Sequence, residues 1–301
     1  MTKKYDLSPE AEHVLDQASY PLKDRSVDNL RVLRVAAKAS ISPAVEKVLN
    51  THQVKTDIRH IRGIPCMRIY PIKPRVKWKI FYGFGGGYVS GSPFEDLTIT
   101  APLAAKTGAM VVVPNYRLAP EHPWPAAIDD GLLVFKALSE EPFAIVGESA
   151  GGNLCLALML RAKQLRLPLP SAAVFLSPWC DLTNSGDSLN KNDGRDPVLS
   201  AQHIEFAAKH YVGDNDPENP MISPINGLFD ETFPPSLITT GSRDLLLSQS
   251  SKLADILSEK GISVDLRVWE DLWHVFEWDD QLPEAQKSLT HIADFLLGHM
   301  G

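Results

Sequence analysis

Residues 143–160 read FAIVGESAGGNLCLALML, which is a short apolar run, a turn rich in glycine and a longer apolar run. The first run has the length of a buried strand, and the second consists of good helix formers. Between them, Gly147 and Gly151 flank Ser149 in the pattern G-x-S-x-G. A sharp turn from strand to helix has no room for side chains at the flanking positions, and it lifts the serine hydroxyl to the positive end of the helix. The stretch therefore predicts a nucleophilic serine, with a helix-capping serine as the alternative.

The bulk composition is that of an ordinary globular protein, with 301 residues of which 44% are hydrophobic and 22% charged. A net charge of −7 without a basic block disfavours nucleic acid and anionic membrane surfaces as partners. Cys66, Cys155 and Cys180 are too few and too scattered for a disulfide framework or a zinc site, so no metal is expected. No apolar run approaches the ~18 residues of a membrane span, and residues 1–6 do not begin a signal peptide. We expect a cytoplasmic protein without an integral membrane segment.

Strand-like and helix-like patterns alternate along most of the chain. Strand patterns occur at residues 54–61, 66–72, 78–82, 109–114, 143–146, 172–176, 236–240 and 264–269. The first two flank a turn at Arg62-Gly63 and predict an antiparallel hairpin. The later ones are separated by helical patterns, which predicts parallel pairing with helices on both faces. We therefore expect an α/β fold with a mostly parallel, eight-stranded sheet.

Two regions interrupt this alternation. Residues 1–53 precede any strand and contain helical patterns from Pro9 to about Ser19, from Asp28 to Lys38, and from Ser42-Pro43 onward. The segment at about 181–233 is too long for an ordinary loop and contains one helical pattern, Ala201 to Tyr211. We expect both regions to form a helical cap over the carboxyl ends of the strands, with residues 54–301 forming the catalytic domain that carries the insertion.

A serine nucleophile requires an adjacent base, and the base requires an orienting carboxylate. On sheets of this kind the acid and then the histidine follow the serine along the chain. Asp244 comes three residues after the strand pattern that ends at Gly241, and His274 lies in the loop after the next strand. Loops at the carboxyl edge of a parallel sheet carry its functional groups. Ser149, Asp244 and His274 are therefore the predicted catalytic residues.

The competing residues fit this order less well. Four histidines precede the serine, and four others fall on predicted helices: His13, His52, His60 and His122, then His203, His210, His291 and His299. For the acid, Glu270 and Asp271 are rivals, but they adjoin His274 in sequence and do not follow the preceding strand.

The run Gly85-Gly86-Gly87 follows a predicted strand and has no side chains, so its backbone N–H groups can approach a substrate closely. With the N–H of Ala150, those of Gly85 and Gly86 are predicted to form an oxyanion hole. A flexible or dinucleotide-binding loop is the alternative. The chain has no G-x-G-x-x-G fingerprint followed by a ribose-binding acid, so no cofactor is expected.

Four aromatic residues are candidates for a substrate pocket on the cap side, although plain packing is the more common role of an aromatic residue in such segments. They are Tyr88, Trp179, Phe206 and Tyr211.

Three stretches together resemble the hormone-sensitive-lipase family of carboxylesterases: GESAGG at 147–152, the glycine loop at 85–87 and YRLAPEHPWPAA at 116–127. The surroundings of Asp244 and His274 fit the same pattern, so the resemblance covers residues 75–300. It implies an α/β-hydrolase fold with a helical cap and cofactor-free hydrolysis of esters with short to medium acyl chains. It also implies a possible homodimer through the last edge strand, residues 264–269.

The chain departs from that family at two positions. Phe84 stands where the family usually has a histidine that braces the glycine loop, and Glu148 stands where it usually has aspartate.

Taken together, the motifs and the resemblance predict a serine carboxylesterase that works through an acyl-enzyme. A lactonase or amidase with the same triad stays open, because pocket shape selects the leaving group. A binding-only member of the fold also stays open, because Phe84 replaces the histidine that the family usually has. The presence of His274 disfavours this alternative.

Overall fold

The sheet is the framework of the computed structural model, which describes residues 7–17 and 26–300. Its strands are β1 (Val54–Ile61), β2 (Ile64–Pro71), β3 (Lys79–Gly83), β4 (Met110–Pro114), β5 (Phe143–Glu148), β6 (Ala172–Leu176), β7 (Ser236–Gly241) and β8 (Val264–Trp269). They form one eight-stranded sheet in the order β1-β2-β4-β3-β5-β6-β7-β8. β2 pairs antiparallel with β1 and β4, and the remaining pairs are parallel. The predicted fold class is confirmed.

The helices in the described residues are α1 (Pro9–Gln17), α2 (Val27–His52), α3 (Leu97–Thr107), α4 (Ala126–Leu138), α5 (Ala150–Gln164), α6 (Ser188–Asn192), α7 (Ala201–Val212), α8 (Leu247–Glu259) and α9 (Pro283–Met300). α3 packs with α9, and α4 packs with α5, so the sheet is covered on both faces. β5 and β6 are buried along their whole length. This burial explains why both strands are continuous apolar runs in the sequence.

The N-terminal region differs from the prediction. Separate helices from Asp28 to Lys38 and from Ser42-Pro43 were expected, but α2 is continuous and contains Pro43. A proline inside a helix lacks one N–H donor and costs about 3 kcal/mol. Leu30 on one side of Pro43 and Val45 and Val48 on the other are buried, so both halves of α2 are held against the core and tertiary packing outweighs that cost. The expected end of the first helix, about Ser19, lies outside the described residues.

Both regions that were expected to form a cap contact the segment after β3. On α2, the Arg34 guanidinium donates to the carbonyl of Val89 at 2.8 Å and to that of Ala119 at 2.7 Å. On α7, the Cβ of Ala207 lies so close to Gly87 that a side chain there would approach it to 2.8 Å. α7 therefore contacts the glycine-rich loop and α2 contacts Val89 just after it, while the role of the two regions as a cap stays a prediction.

Candidate active site

The turn between β5 and α5 places Ser149 in a conformation that residues other than glycine rarely adopt, with φ 52° and ψ −120°. Its N–H donates to the Leu176 carbonyl at 2.9 Å, which ties the turn to the neighbouring strand. A Cβ on Gly151 would overlap the Gly83 carbonyl, and one on Gly147 would overlap the Gly151 carbonyl. The two glycines of the G-x-S-x-G pattern are therefore required by close backbone approach on each side of the serine.

Three residues that are distant in sequence meet at the carboxyl edge of the sheet. His274 Nε2 lies 3.0 Å from Ser149 Oγ, and His274 Nδ1 lies 3.0 Å from Asp244 Oδ1. Asp244 Oδ2 accepts from Thr240 Oγ1 at 2.8 Å, and Asp244 Oδ1 accepts from the Leu246 N–H at 2.9 Å. Asp244 is fully buried, while Ser149 is 8% and His274 6% exposed. The structure thus places the predicted histidine within hydrogen-bonding distance of both the predicted serine and the predicted acid.

The charges around His274 set its protonation behaviour. Burial alone would lower the pKa of His274, but the negative charge of Asp244, the hydrogen bond to it, and the charges of Asp196 and Glu277 raise it above its usual value. Burial would likewise raise the pKa of Asp244, but the charge and hydrogen bond of His274 hold it below its usual value. The carboxylate is therefore ionised, and Nδ1–H of His274 donates to it, which leaves Nε2 free to accept a proton from Ser149.

The rival acids are engaged elsewhere. Asp271 accepts from the Arg243 guanidinium at 2.8 Å, and Glu270 accepts from Ser242 Oγ at 3.1 Å. Both lie at the end of β8, whereas Asp244 follows β7 and faces the imidazole.

The glycine loop is braced by aromatic packing. Phe84 is fully buried, and its ring stacks on that of Tyr116 with centroids 4.0 Å apart and planes 7° from parallel. The Tyr116 hydroxyl also donates to the Phe84 carbonyl at 2.6 Å. Gly86, the next residue but one, has φ +100°, and the Ser90 N–H donates to its carbonyl at 2.9 Å. Where the family usually has a bracing histidine, Phe84 and Tyr116 therefore hold the loop by ring stacking and one backbone hydrogen bond.

We expect Tyr116→Phe to lower the free energy of unfolding by about 1–3 kcal/mol, because the buried Phe84 carbonyl loses its donor while the ring stack remains. The measurement is urea unfolding of the purified protein. Tyr70→Phe is the matched control, because the Tyr70 hydroxyl makes a long 3.5 Å contact with Asp57 at a partly exposed position. A Tyr116→Phe variant as stable as the Tyr70→Phe variant would contradict this account of the loop.

Glu148 lies directly beneath the glycine loop, where its carboxyl occupies the space that a side chain at Gly85 would take. Burial, followed by the charge of Asp96, raises the pKa of Glu148 well above its usual value. Asp96 is itself buried, which raises the pKa of its carboxyl to about 7, and its Oδ1 accepts from Trp278 Nε1 at 3.2 Å. The shift favours the neutral form of Glu148, which lessens the negative charge that would oppose an oxyanion developing nearby.

Two of the four aromatic residues predicted to line a pocket, Tyr88 and Trp179, hydrogen-bond to Asn153 on α5. Tyr88 stacks on Tyr211 with centroids 3.7 Å apart, and its hydroxyl donates to Asn153 Oδ1 at 2.8 Å. Asn153 Nδ2 donates to the Trp179 carbonyl at 2.8 Å. Tyr88, Tyr211 and Trp179 are buried, whereas Phe206 is partly exposed on α7. Their role as a substrate pocket stays a prediction.

Sequence reasoning missed two buried acids at this site, Asp96 and Asp196. Asp96 lies beneath the nucleophile turn, and Asp196 accepts from the His274 backbone N–H at 2.8 Å. Asp196 comes from the insertion and is 78 residues before His274 in sequence. No local pattern connects the two positions, so the sequence carried no signal for this contact.

Among residues 7–17 and 26–300, no group of three or more histidine, cysteine, aspartate or glutamate side chains is arranged to hold a metal ion. Within the same residues, no helix combines the length and the apolar character needed to cross a membrane.

Known proteins share this fold and about a third of the aligned residues. A family model described as the alpha/beta hydrolase fold matches residues 80–278. An esterase from Acinetobacter venetianus is 35% identical over 72% of this chain and 73% of its own length. An acetyl-hydrolase from Streptomyces hygroscopicus is 32% identical over 72% of this chain and 74% of its own. The crystal structure of a hormone-sensitive lipase from a metagenome library superimposes with a TM-score of 0.89, at 33% identity over 97% of both chains.

Proposed function

Because the chain belongs to the hormone-sensitive-lipase family of α/β-hydrolase carboxylesterases, we propose that it hydrolyses carboxylic esters through a covalent acyl-enzyme on Ser149. The observation that carries the proposal is the 3.0 Å distance between Ser149 Oγ and His274 Nε2, with Asp244 on the other ring nitrogen. This is the spacing at which a histidine can take the proton of a serine hydroxyl.

In the acylation step, His274 Nε2 accepts the proton of Ser149 Oγ as the oxygen bonds to the ester carbonyl carbon. Asp244 orients the ring and stabilises the imidazolium. The N–H groups of Gly85, Gly86 and Ala150 donate to the oxyanion of the tetrahedral intermediate. The C–O bond to the alcohol then breaks, and His274 gives its proton to the departing oxygen.

In the deacylation step, His274 Nε2 accepts a proton from water as the water oxygen attacks the acyl carbon. A second tetrahedral intermediate collapses, the bond to Ser149 Oγ breaks, and His274 returns the proton to that oxygen. The carboxylic acid leaves and the enzyme is regenerated. All groups required for this cycle belong to the chain, so the proposal needs no cofactor.

For the substrate we propose esters with short to medium acyl chains; the similar Streptomyces protein is named an acetyl-hydrolase. As the cap that selects them we propose the described part of residues 1–53 together with the segment at about 181–233, with Tyr88, Trp179, Phe206 and Tyr211 on its side of the site. We further propose a homodimer through β8, an edge strand on which Leu266 and Val268 are 36% and 46% exposed. Three buried free cysteines fit a reducing cytoplasm.

The test is labelling with a fluorophosphonate probe together with turnover of a graded series of p-nitrophenyl esters. The wild-type protein is expected to gain one phosphonyl group on Ser149, located by peptide mass spectrometry, and Ser149→Ala is expected to gain none. Ser171→Ala is the matched control, because Ser171 is exposed at the start of the neighbouring strand. An unlabelled wild-type protein, as expected of a binding-only member of the fold, would refute the proposal. Adding a lactone and an anilide to the series measures the range of leaving groups.

A further inference from the structure

Asp196 is a buried acid of the insertion, in the segment between α6 and α7. Its Oδ1 accepts from the backbone N–H groups of Val198 at 2.8 Å and Leu199 at 2.9 Å. Its Oδ2 accepts from the backbone N–H of His274 at 2.8 Å. Oδ1 therefore binds backbone N–H groups within the insertion, and Oδ2 binds the loop that carries His274.

Three of the contacts that hold the loop after β8 lie at His274 and Val275, and each of the three comes from a different part of the fold. Asp244, after β7, binds the imidazole. Ser177, after β6, accepts the Val275 N–H with its hydroxyl at 3.1 Å. Asp196 accepts the His274 N–H and is the attachment supplied by the insertion. The orientation of His274 therefore depends in part on Asp196, which belongs to the insertion and not to the sheet.

The charge of Asp196 also acts on the imidazole. The groups facing His274 are Ser149, Asp244, Asp196 and Glu277. Burial and then the charge of Asp244 raise the pKa of Asp196 to about 6, and the facing His274 opposes that rise. Asp196 is therefore ionised above about pH 6, where it favours a positive charge on His274. Burial raises the pKa of Glu277 to about 7, so Glu277 adds less negative charge at neutral pH.

We propose that Asp196 is a positioning residue for the base: it fixes the His274 loop to the insertion, and its charge stabilises the imidazolium that forms as Ser149 attacks. The inference rests on the proposed function, because it assigns Asp196 a role within the same catalytic cycle. It also assigns the insertion a part in the chemistry, in addition to covering the site, because an undocked insertion would leave His274 with fewer attachments and one less negative charge.

The experiment is the pH dependence of kcat/KM for p-nitrophenyl butyrate in the wild-type protein and Asp196→Asn. The amide keeps an acceptor for Val198 and Leu199, but it removes the charge and places an NH₂ group against the His274 N–H. We expect plateau activity to fall by about 10²-fold through misplacement of the base. Activity rises with pH as His274 loses its proton, and loss of the negative charge lowers the pKa of His274. The acidic limb is therefore expected to move to lower pH by about one unit.

Asp193→Asn is the matched control, because the exposed Asp193 carboxylate accepts the Ala201 N–H at the start of α7 in the same segment. The acidic limb of its pH profile and its plateau value of kcat/KM are expected to match those of the wild-type protein. Asp196→Ser is the second variant, since its hydroxyl can still accept a backbone N–H. An unshifted limb in a folded variant would overturn the inference and leave the proposed function intact, because wild-type turnover tests the latter separately. Failure of both variants to fold would also overturn it, by assigning Asp196 to folding.

Discussion

His274→Ala is expected to lower kcat for p-nitrophenyl ester hydrolysis by about 10⁶-fold, the scale of loss when a serine hydrolase loses its base. The variant retains Ser149 in its strained turn, but no group remains to take the proton of the hydroxyl. A serine hydroxyl is a weak nucleophile without such a base. The residual rate then comes from binding and from the N–H groups of the glycine loop. The measurements are steady-state turnover and fluorophosphonate labelling of Ser149, and both are expected to be lost in the variant.

His122→Ala is the control for this experiment. His122 was a rival in sequence, and it lies on the exposed turn that precedes α4. Its removal is expected to leave turnover within a factor of a few, because no contact links its side chain to Ser149 among the described residues. If His274→Ala retains turnover above one-hundredth of the wild-type value, another group acts as the base and the assignment fails.

The three residues that meet at the site could be predicted, because each of them follows a strand of the parallel part of the sheet. β5, β7 and β8 are parallel, so the turns and loops after them emerge at one edge of the sheet, and Ser149, Asp244 and His274 lie in those segments. The glycines around Ser149 signalled the turn directly, since no other residue fits there. These inferences depend on short stretches of sequence and on the parallel pairing of strands, both of which the sequence displays.

The features that were missed depend on contacts between distant segments. Ser42-Pro43 appeared to begin a separate helix, because local chemistry disfavours proline inside one, while the burial of Val45 and Val48 is visible only in the folded chain. Asp96 was not singled out in the sequence, because its burial against Glu148 depends on how the start of α3 lies against β5. The stack of Phe84 on Tyr116 joins two loops that follow different strands. Propensity and spacing carry no information on such contacts.

Asp244→Asn is expected to lower kcat by about 10⁴-fold while leaving the position of the side chain nearly unchanged. Asp244 is fully buried and holds Nδ1–H of His274 through a carboxylate oxygen. Oδ1 of Asp244 meets both Nδ1 and the Leu246 N–H, while Oδ2 accepts from Thr240. An asparagine that keeps its oxygen toward Thr240 therefore directs its NH₂ toward Nδ1 and takes the acceptor away from the Leu246 N–H. The imidazole then carries its proton on Nε2, the tautomer that cannot accept the proton of Ser149. Loss of the negative charge also lowers the pKa of His274, so the acidic limb of kcat/KM moves to lower pH.

Asp271→Asn is the matched control, because it is the same substitution on the rival acid three residues before His274 in sequence. Asp271 pairs with Arg243 and is 24% exposed at its side chain, so its loss is expected to change kcat by less than about tenfold and to leave the acidic limb in place. If the two variants exchange these results, Asp271 is the orienting acid and the loop after β8 adopts a different arrangement in solution. If Asp244→Asn loses about 10⁴-fold with an unshifted limb, the defect lies in the ring tautomer, and the charge of Asp244 contributes little to the pKa of the base.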